Sequence, residues 1–188
     1  HPIVNFSKIR FWISKHTLNE AISILANTIG REHLEYVKSL NVFGNYYLSV
    51  REFKKAEALV SEAKNIVETT LGKNHLDYAK NTSHLARIYY VAEKYDKAEP
   101  YYLEAKELYE KLLKKEDAEY ATLLNGLGGL YKAIGKFEMS EMLFLEALAL
   151  REKLFGKQHP DYALVLSNLG ILYQAMQKFE KSELVRRE

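Results

Sequence analysis

Tyr36, Tyr78, Tyr120 and Tyr162 follow one another at intervals of 42 residues without a single insertion. A fixed period of this size confines a chain to a stack of like supersecondary units, each burying its apolar face on the next. The same offset carries Leu34-Glu35-Tyr36-Val37 onto Leu76-Asp77-Tyr78-Ala79, Ala118-Glu119-Tyr120-Ala121 and Pro160-Asp161-Tyr162-Ala163. Small residues at Gly44, Ala86, Gly128 and Gly170 are followed by Tyr47, Tyr89, Tyr131 and Tyr173, then by the aromatics Phe53, Tyr95, Phe137 and Phe179. Ala56, Ala98, Ser140 and Ser182 come next, with Ala63, Ala105 and Ala147 two helical turns beyond the first three. Small residues three, four or seven apart share one face of a helix and let a neighbour come close. The pattern predicts two packed helices per unit: helix A from about Tyr36 to Leu48, helix B from about Phe53 to Thr70, and their equivalents 42 residues on.

Three Pro and nine Gly leave long stretches free of helix breakers, which favours an all-α chain. Charge interrupts the apolar runs well short of the roughly 18 residues a membrane helix needs. With 27 Lys plus Arg against 25 Asp plus Glu, the total charge gives no reason to expect nucleic acid or a membrane surface as partner. The absence of Cys removes disulfides, thiolate metal sites and a cysteine nucleophile, and fits a cytoplasmic protein. The chain opens at His1 rather than Met, consistent with a piece of a longer protein.

Gly30, Gly72 and Gly156 fall just after helix B, where a residue of positive φ ends a helix. The junction Lys114-Lys115-Glu116-Asp117 has neither this Gly nor the His seen at His33, His75 and His159, so a turn of different shape is expected there. Forcing a non-Gly residue into the left-handed region would cost roughly 1–2 kcal/mol. The three periodic His lie one whole unit apart and cannot converge on a metal; they read as residues of the helix start and turn. His1, His16 and His84 are isolated, and no HExxH spacing, phosphate loop or nucleophile elbow is present. The expectation is a protein that is not an enzyme, with no catalytic residue, cofactor or metal. The repeated Tyr residues read as core, ring bodies between helices and hydroxyls reaching a polar neighbour.

The units resemble tetratricopeptide repeats in the long form of kinesin light chains. Gly156-Lys157-Gln158-His159-Pro160-Asp161-Tyr162-Ala163 with Ser167-Asn168-Leu169-Gly170 is close to that family's signature. The resemblance implies an α-solenoid, a right-handed superhelix of antiparallel helix pairs whose A helices line a concave groove. The repeats would occupy 33–74, 75–116, 117–158 and 159–188, the last cut within helix B. Counting back from Phe53, Ala56, Val60 and Ala63 reaches Phe11, Ser14, Leu18 and Ala21, so 1–32 reads as a degenerate preceding repeat, mainly a helix B over about 11–28. Further repeats or domains of the same parent protein are expected on either side.

Helix A positions that the packing pattern leaves unused would face a ligand, as the resemblance implies. They include Lys38, Asn41 and Asn45; Lys80, Ser83, His84, Arg87 and Tyr90; Asn125, Gly126, Gly129 and Lys132; and Ser167, Asn168, Ile171 and Gln174. None is acidic, so the local field should be positive although the net charge is only +2. The expected partner is a protein or peptide segment bearing carboxylates, held by Lys80, Arg87 and Lys132, with Asn41, Asn45, Asn125 and Asn168 bonding its backbone. Helical Gly at 126 and 129 costs about 1 kcal/mol each against Ala. The pair suggests a notch floored by backbone and walled by Tyr90, Lys132 and Ile171. The alternative, since similar repeats precede caspase-like peptidase domains, is the sensor region of an enzyme whose catalytic domain lies outside this chain.

Overall fold

The structure, a computed structural model, describes residues 20–112 and 117–187. A first helix, α1, covers 20–28. It is followed by α2 (Leu34–Ser49), α3 (Phe53–Leu71), α4 (Leu76–Val91), α5 (Tyr95–Leu112), α6 (Ala118–Ala133), α7 (Phe137–Phe155), α8 (Pro160–Ala175) and α9 (Phe179–Arg187). The described chain is all-α, with consecutive helices packed as antiparallel pairs. The A helices α2, α4, α6 and α8 are each 16 residues long and start 42 residues apart. Of the helix expected over about 11–28, the part before residue 20 lies outside the described residues, as does the turn expected at 114–116.

Local chemistry sets where each A helix begins. His33, His75 and His159 are N-caps: the Nδ1 of each accepts a hydrogen bond, at 3.2 Å, from the backbone N–H of Glu35, Asp77 and Asp161 respectively. Each cap satisfies one of the donors a helix start leaves open. Where the third unit lacks the His, Asp117 does the same work, its carboxylate accepting from the N–H groups of Glu119 and Tyr120 at 2.7 and 3.2 Å. Gly72 and Gly156 close α3 and α7 at φ +83° and +78°. A second left-handed position recurs between the A and B helices, at Arg51, Glu93, Gly135 and Gln177, with φ from +58° to +78°. Only one of those four residues is Gly, so the repeat conceals it.

The residues divide into two compact units after Gly72. In the first, α2 lies against α3, and the buried side chains Tyr36, Leu40 and Tyr47 share the core with Ala56, Val60, Ala63 and Val67. Helices approach so closely at Gly44 that a Cβ there would stand 2.6 Å from Val60 Cγ2. In the second, α4 to α9 form one core around Tyr102, Tyr120, Leu124, Leu127, Phe144 and Leu169. Ser140 and Ser182, which replace the Ala of earlier units, turn their hydroxyls onto the carbonyls of Gly128 and Gly170 at 2.7 and 3.0 Å, so neither is an unpaired buried group.

The periodic tyrosines behave as core with a polar tip. Tyr36, Tyr78 and Tyr120 are at most 1% exposed; the hydroxyls of the first two donate to Glu62 and Glu104 of the paired B helix at 2.9 and 3.0 Å, while that of Tyr120 lies between Glu110 of α5 at 3.1 Å and Glu146 of α7 at 3.4 Å. At the position of Val67 and Tyr109, the third B helix carries Arg151, buried yet ion-paired at 3.0 Å with Asp161 of α8. Arg151 also hydrogen-bonds Thr122 of α6 and lies over the Phe155 ring, so it ties three helices together.

Removing a cap isolates one of these devices. His75→Ala should lower stability by about 1 kcal/mol, whereas His75→Asp, which copies the acceptor that Asp117 already provides, should hold or raise it. Urea unfolding of the three proteins checks both signs.

Candidate binding surface

In the second unit α4 touches α6 and α6 touches α8. Their outward residues therefore form one continuous surface. It carries Lys80, Ser83, His84, Arg87 and Tyr90 from α4, Asn125, Gly126, Gly129 and Lys132 from α6, and Ser167, Asn168, Ile171 and Gln174 from α8. All are half-buried or exposed except Gly129, which is buried. Lys38, Asn41 and Asn45 lie on α2 of the first unit, where Lys38 is ion-paired with Glu35 at 2.6 Å and Asn41 Nδ2 donates to the Val37 carbonyl at 3.2 Å. Lys38 is thus already neutralised on its own helix.

Lys80, His84 and Arg87 stand at i, i+4 and i+7 of α4 and so share one stripe. Burial, then the charges of Arg87 and Lys80, push the His84 imidazole down to about 4. The site at His84 is one where a further positive charge is unwelcome, first because it would be buried and then because two cations already stand beside it. Two helices on, Asn168 Nδ2 donates to Asn125 Oδ1 at 2.9 Å. Each of these amides keeps part of its hydrogen-bonding capacity for another group.

The notch expected at Gly126 and Gly129 is not an open one, because this chain's own tyrosines fill it. A Cβ on Gly126 would meet the Tyr102 hydroxyl oxygen at 2.6 Å and Cζ at 3.0 Å, and one on Gly129 would meet the Tyr90 hydroxyl at 3.0 Å. The two glycines are needed so that aromatic rings from α5 and α4 can reach the wall of α6. Tyr102 was not among the residues singled out from sequence: it lies on a B helix, at the core position of Val60 and Phe144, and its hydroxyl reaches α6 only in the folded unit.

Among the described residues, no group of three or more His, Asp and Glu is placed to hold a metal ion, and no helix is long and apolar enough to cross a membrane.

The repeat seen in the helices has a counterpart among known proteins. A tetratricopeptide repeat family model matches residues 47–111, 78–152 and 119–185, which together span most of the chain. This chain belongs to the tetratricopeptide repeat family. Tetratricopeptide repeats are in general protein-interaction scaffolds and typically non-catalytic. Among solved structures, the chain is similar to BtubC (BKLC) from P. vanneervenii, at 24% identity and a TM-score of 0.76, over 95% of this chain and 71% of that one. It is also similar to a kinesin light chain assignment from Podosopora anserina with nearly identical TPR-like repeats, at 20% identity. That structure gives a TM-score of 0.67 over 90% of this chain and 81% of the other, and a variant of it gives 0.70 over 90% and 80%. Identities this low establish a shared kinesin light chain-like repeat fold and nothing finer. No curated protein sequence matches the chain.

Two measurements test this surface of the repeat array. Gly126→Ala gains helix propensity of about 1 kcal/mol, but it must displace a ring that is 1% exposed, and overpacking of that kind costs about 1–3 kcal/mol. Net destabilisation by urea unfolding is expected, and Tyr102→Phe, which removes the nearest atom, should relieve part of it. For His84 the folded value of about 4 lies below the ordinary 6.5. Between those values the unfolded chain takes up a proton that the folded chain refuses, so stability falls as pH drops from about 6.5 to 4. His84→Gln should flatten the Tm-against-pH curve over that window.

Proposed function

We propose that the α4–α6–α8 face of the second unit holds an acidic protein or peptide segment. Lys80, Arg87 and Lys132 attract its carboxylates, while Asn125 and Asn168, with Ser83, Ser167 and Gln174 along the same face, bond its backbone amides. The observation that carries this reading is the field of Lys80 and Arg87 on one stripe of α4, which adds to burial in holding the His84 imidazole neutral. An anion is the ligand that relieves it. Ile171, 46% exposed on α8, offers an apolar contact on the far side of α6 from the charged stripe. Asn41 and Asn45 on α2 are assigned the same amide-bonding role within the first unit. A helical repeat presents such a face already formed, so association loses little conformational entropy.

Exposed charges contribute up to about 1 kcal/mol each. The binding should therefore be salt-sensitive and should depend on several of them together. Panning a random decapeptide display library against the chain should enrich Asp and Glu. The enriched peptides should lose at least tenfold in affinity toward a Lys80→Glu, Arg87→Glu, Lys132→Glu variant of unchanged circular dichroism. Enrichment without acidic residues, or affinity that the triple variant leaves untouched, would move the ligand off this face.

A further inference from the structure

Two departures from the repeat meet at one point of the second unit. The core position on helix B is filled by Val60, Tyr102 and Phe144 in successive units, all at most 1% exposed. The fold asks only for an apolar body there, and Tyr102 alone adds a hydroxyl. Among the described residues that hydroxyl has no hydrogen-bond partner, although it is shielded from solvent. The matching position on helix A reads Val42, His84, Gly126 and Asn168, and the glycine is the one the hydroxyl abuts: the oxygen stands 2.6 Å from where a Cβ at 126 would be. It occupies the start of the path that His84 and Asn168 side chains follow onto the α4–α6–α8 face.

Both departures destabilise the chain on their own. A buried hydroxyl left unpaired costs about 1–3 kcal/mol, and a helical Gly about 1 kcal/mol against Ala. Phe, already present at 144, would avoid the first. Arg87 lies close enough for its charge to act on the Tyr102 hydroxyl, opposing the upward push of burial on its pKa. A neutral O–H donor with a guanidinium in its neighbourhood matches one acceptor that is small, planar and negative.

We infer that the Tyr102 hydroxyl, brought to α6 by the absence of a side chain at Gly126, and the Arg87 guanidinium together seat a single carboxylate of the bound segment. This rests on the reading of the face as a site for acidic segments. The hydroxyl is covered in the free protein, so the carboxylate reaches it only as the side chains above it part. The seat thus discriminates between one buried carboxylate and the others, which the lysines hold loosely at the surface.

The test uses one acidic decapeptide enriched on the wild-type chain, with each of its carboxylates replaced in turn by the amide. Tyr102→Phe should keep or raise Tm, since it removes an unpaired buried group, and should weaken the peptide about tenfold. In a double-mutant cycle the loss should vanish for the peptide lacking one particular carboxylate and persist for the rest, a pattern that a general packing defect would not produce. Unchanged affinity in Tyr102→Phe while Arg87→Glu abolishes binding would overturn the seat and leave the proposed function standing. If Arg87→Glu binds the peptide as well as wild type, both fall. A Tyr102→Phe loss spread evenly over all the amidated peptides would also overturn the seat.

Discussion

Everything in this chain hangs on how closely helix A and helix B of a unit can approach. At Gly44 and Gly128 there is no room even for a methyl group, since a Cβ would come within 2.6 Å of Val60 and 2.9 Å of Phe144. Close-packed interiors do not absorb such an intrusion. The small residue at this position is therefore a steric requirement, and the aromatic or branched residue opposite it is what makes the contact worth burying. Once that pair is set, Tyr36, Tyr78 and Tyr120 at the starts of α2, α4 and α6 place their rings in the core and their hydroxyls on glutamates. The serines that stand in for alanine keep the approach by bonding the facing carbonyl.

The same economy of space governs the candidate binding surface. Gly126 and Gly129 do not leave a hole; they let Tyr102 and Tyr90 stand against α6. That shapes the surface in two ways. It removes side chains from the middle helix, so the basic stripe of α4 and the amides of α8 are joined across a low wall. It also places a buried polar tip directly beneath that wall. The next unit carries Phe144 where Tyr102 stands, so packing of the core at that position does not require the hydroxyl.

Much of the fold was legible because periodicity records packing. The helices anticipated at about Tyr36–Leu48 and Phe53–Thr70 are Leu34–Ser49 and Phe53–Leu71. The glycines after the first and third B helices of the full repeats, Gly72 and Gly156, take the positive φ their place implied. Other features were hidden because the residues vary while the geometry repeats: the left-handed position held by Arg51, Glu93, Gly135 and Gln177 shows no common residue type. Arg151 was hidden for another reason. Its neighbours Thr122, Phe155 and Asp161 lie on three different helices, and only in the folded unit do they surround one guanidinium.

By itself the sequence determined the period, the helix pairs and the family, because these follow from residue size and polarity repeated at a constant interval, information that lies along the chain. It also marked the A-helix residues that the packing pattern leaves unused and the lack of acidic ones among them. What only the tertiary structure decided is which of those residues are engaged within the protein, wholly as Lys38 on Glu35 or in part as Asn168 on Asn125, and which group from another helix comes to lie under them. Tyr102 reaches α6 beneath that surface through a distance between helices that no spacing in the sequence encodes. The physical reason is that a side chain's reach and burial depend on what the neighbouring helix leaves empty, here the missing side chain of a single glycine.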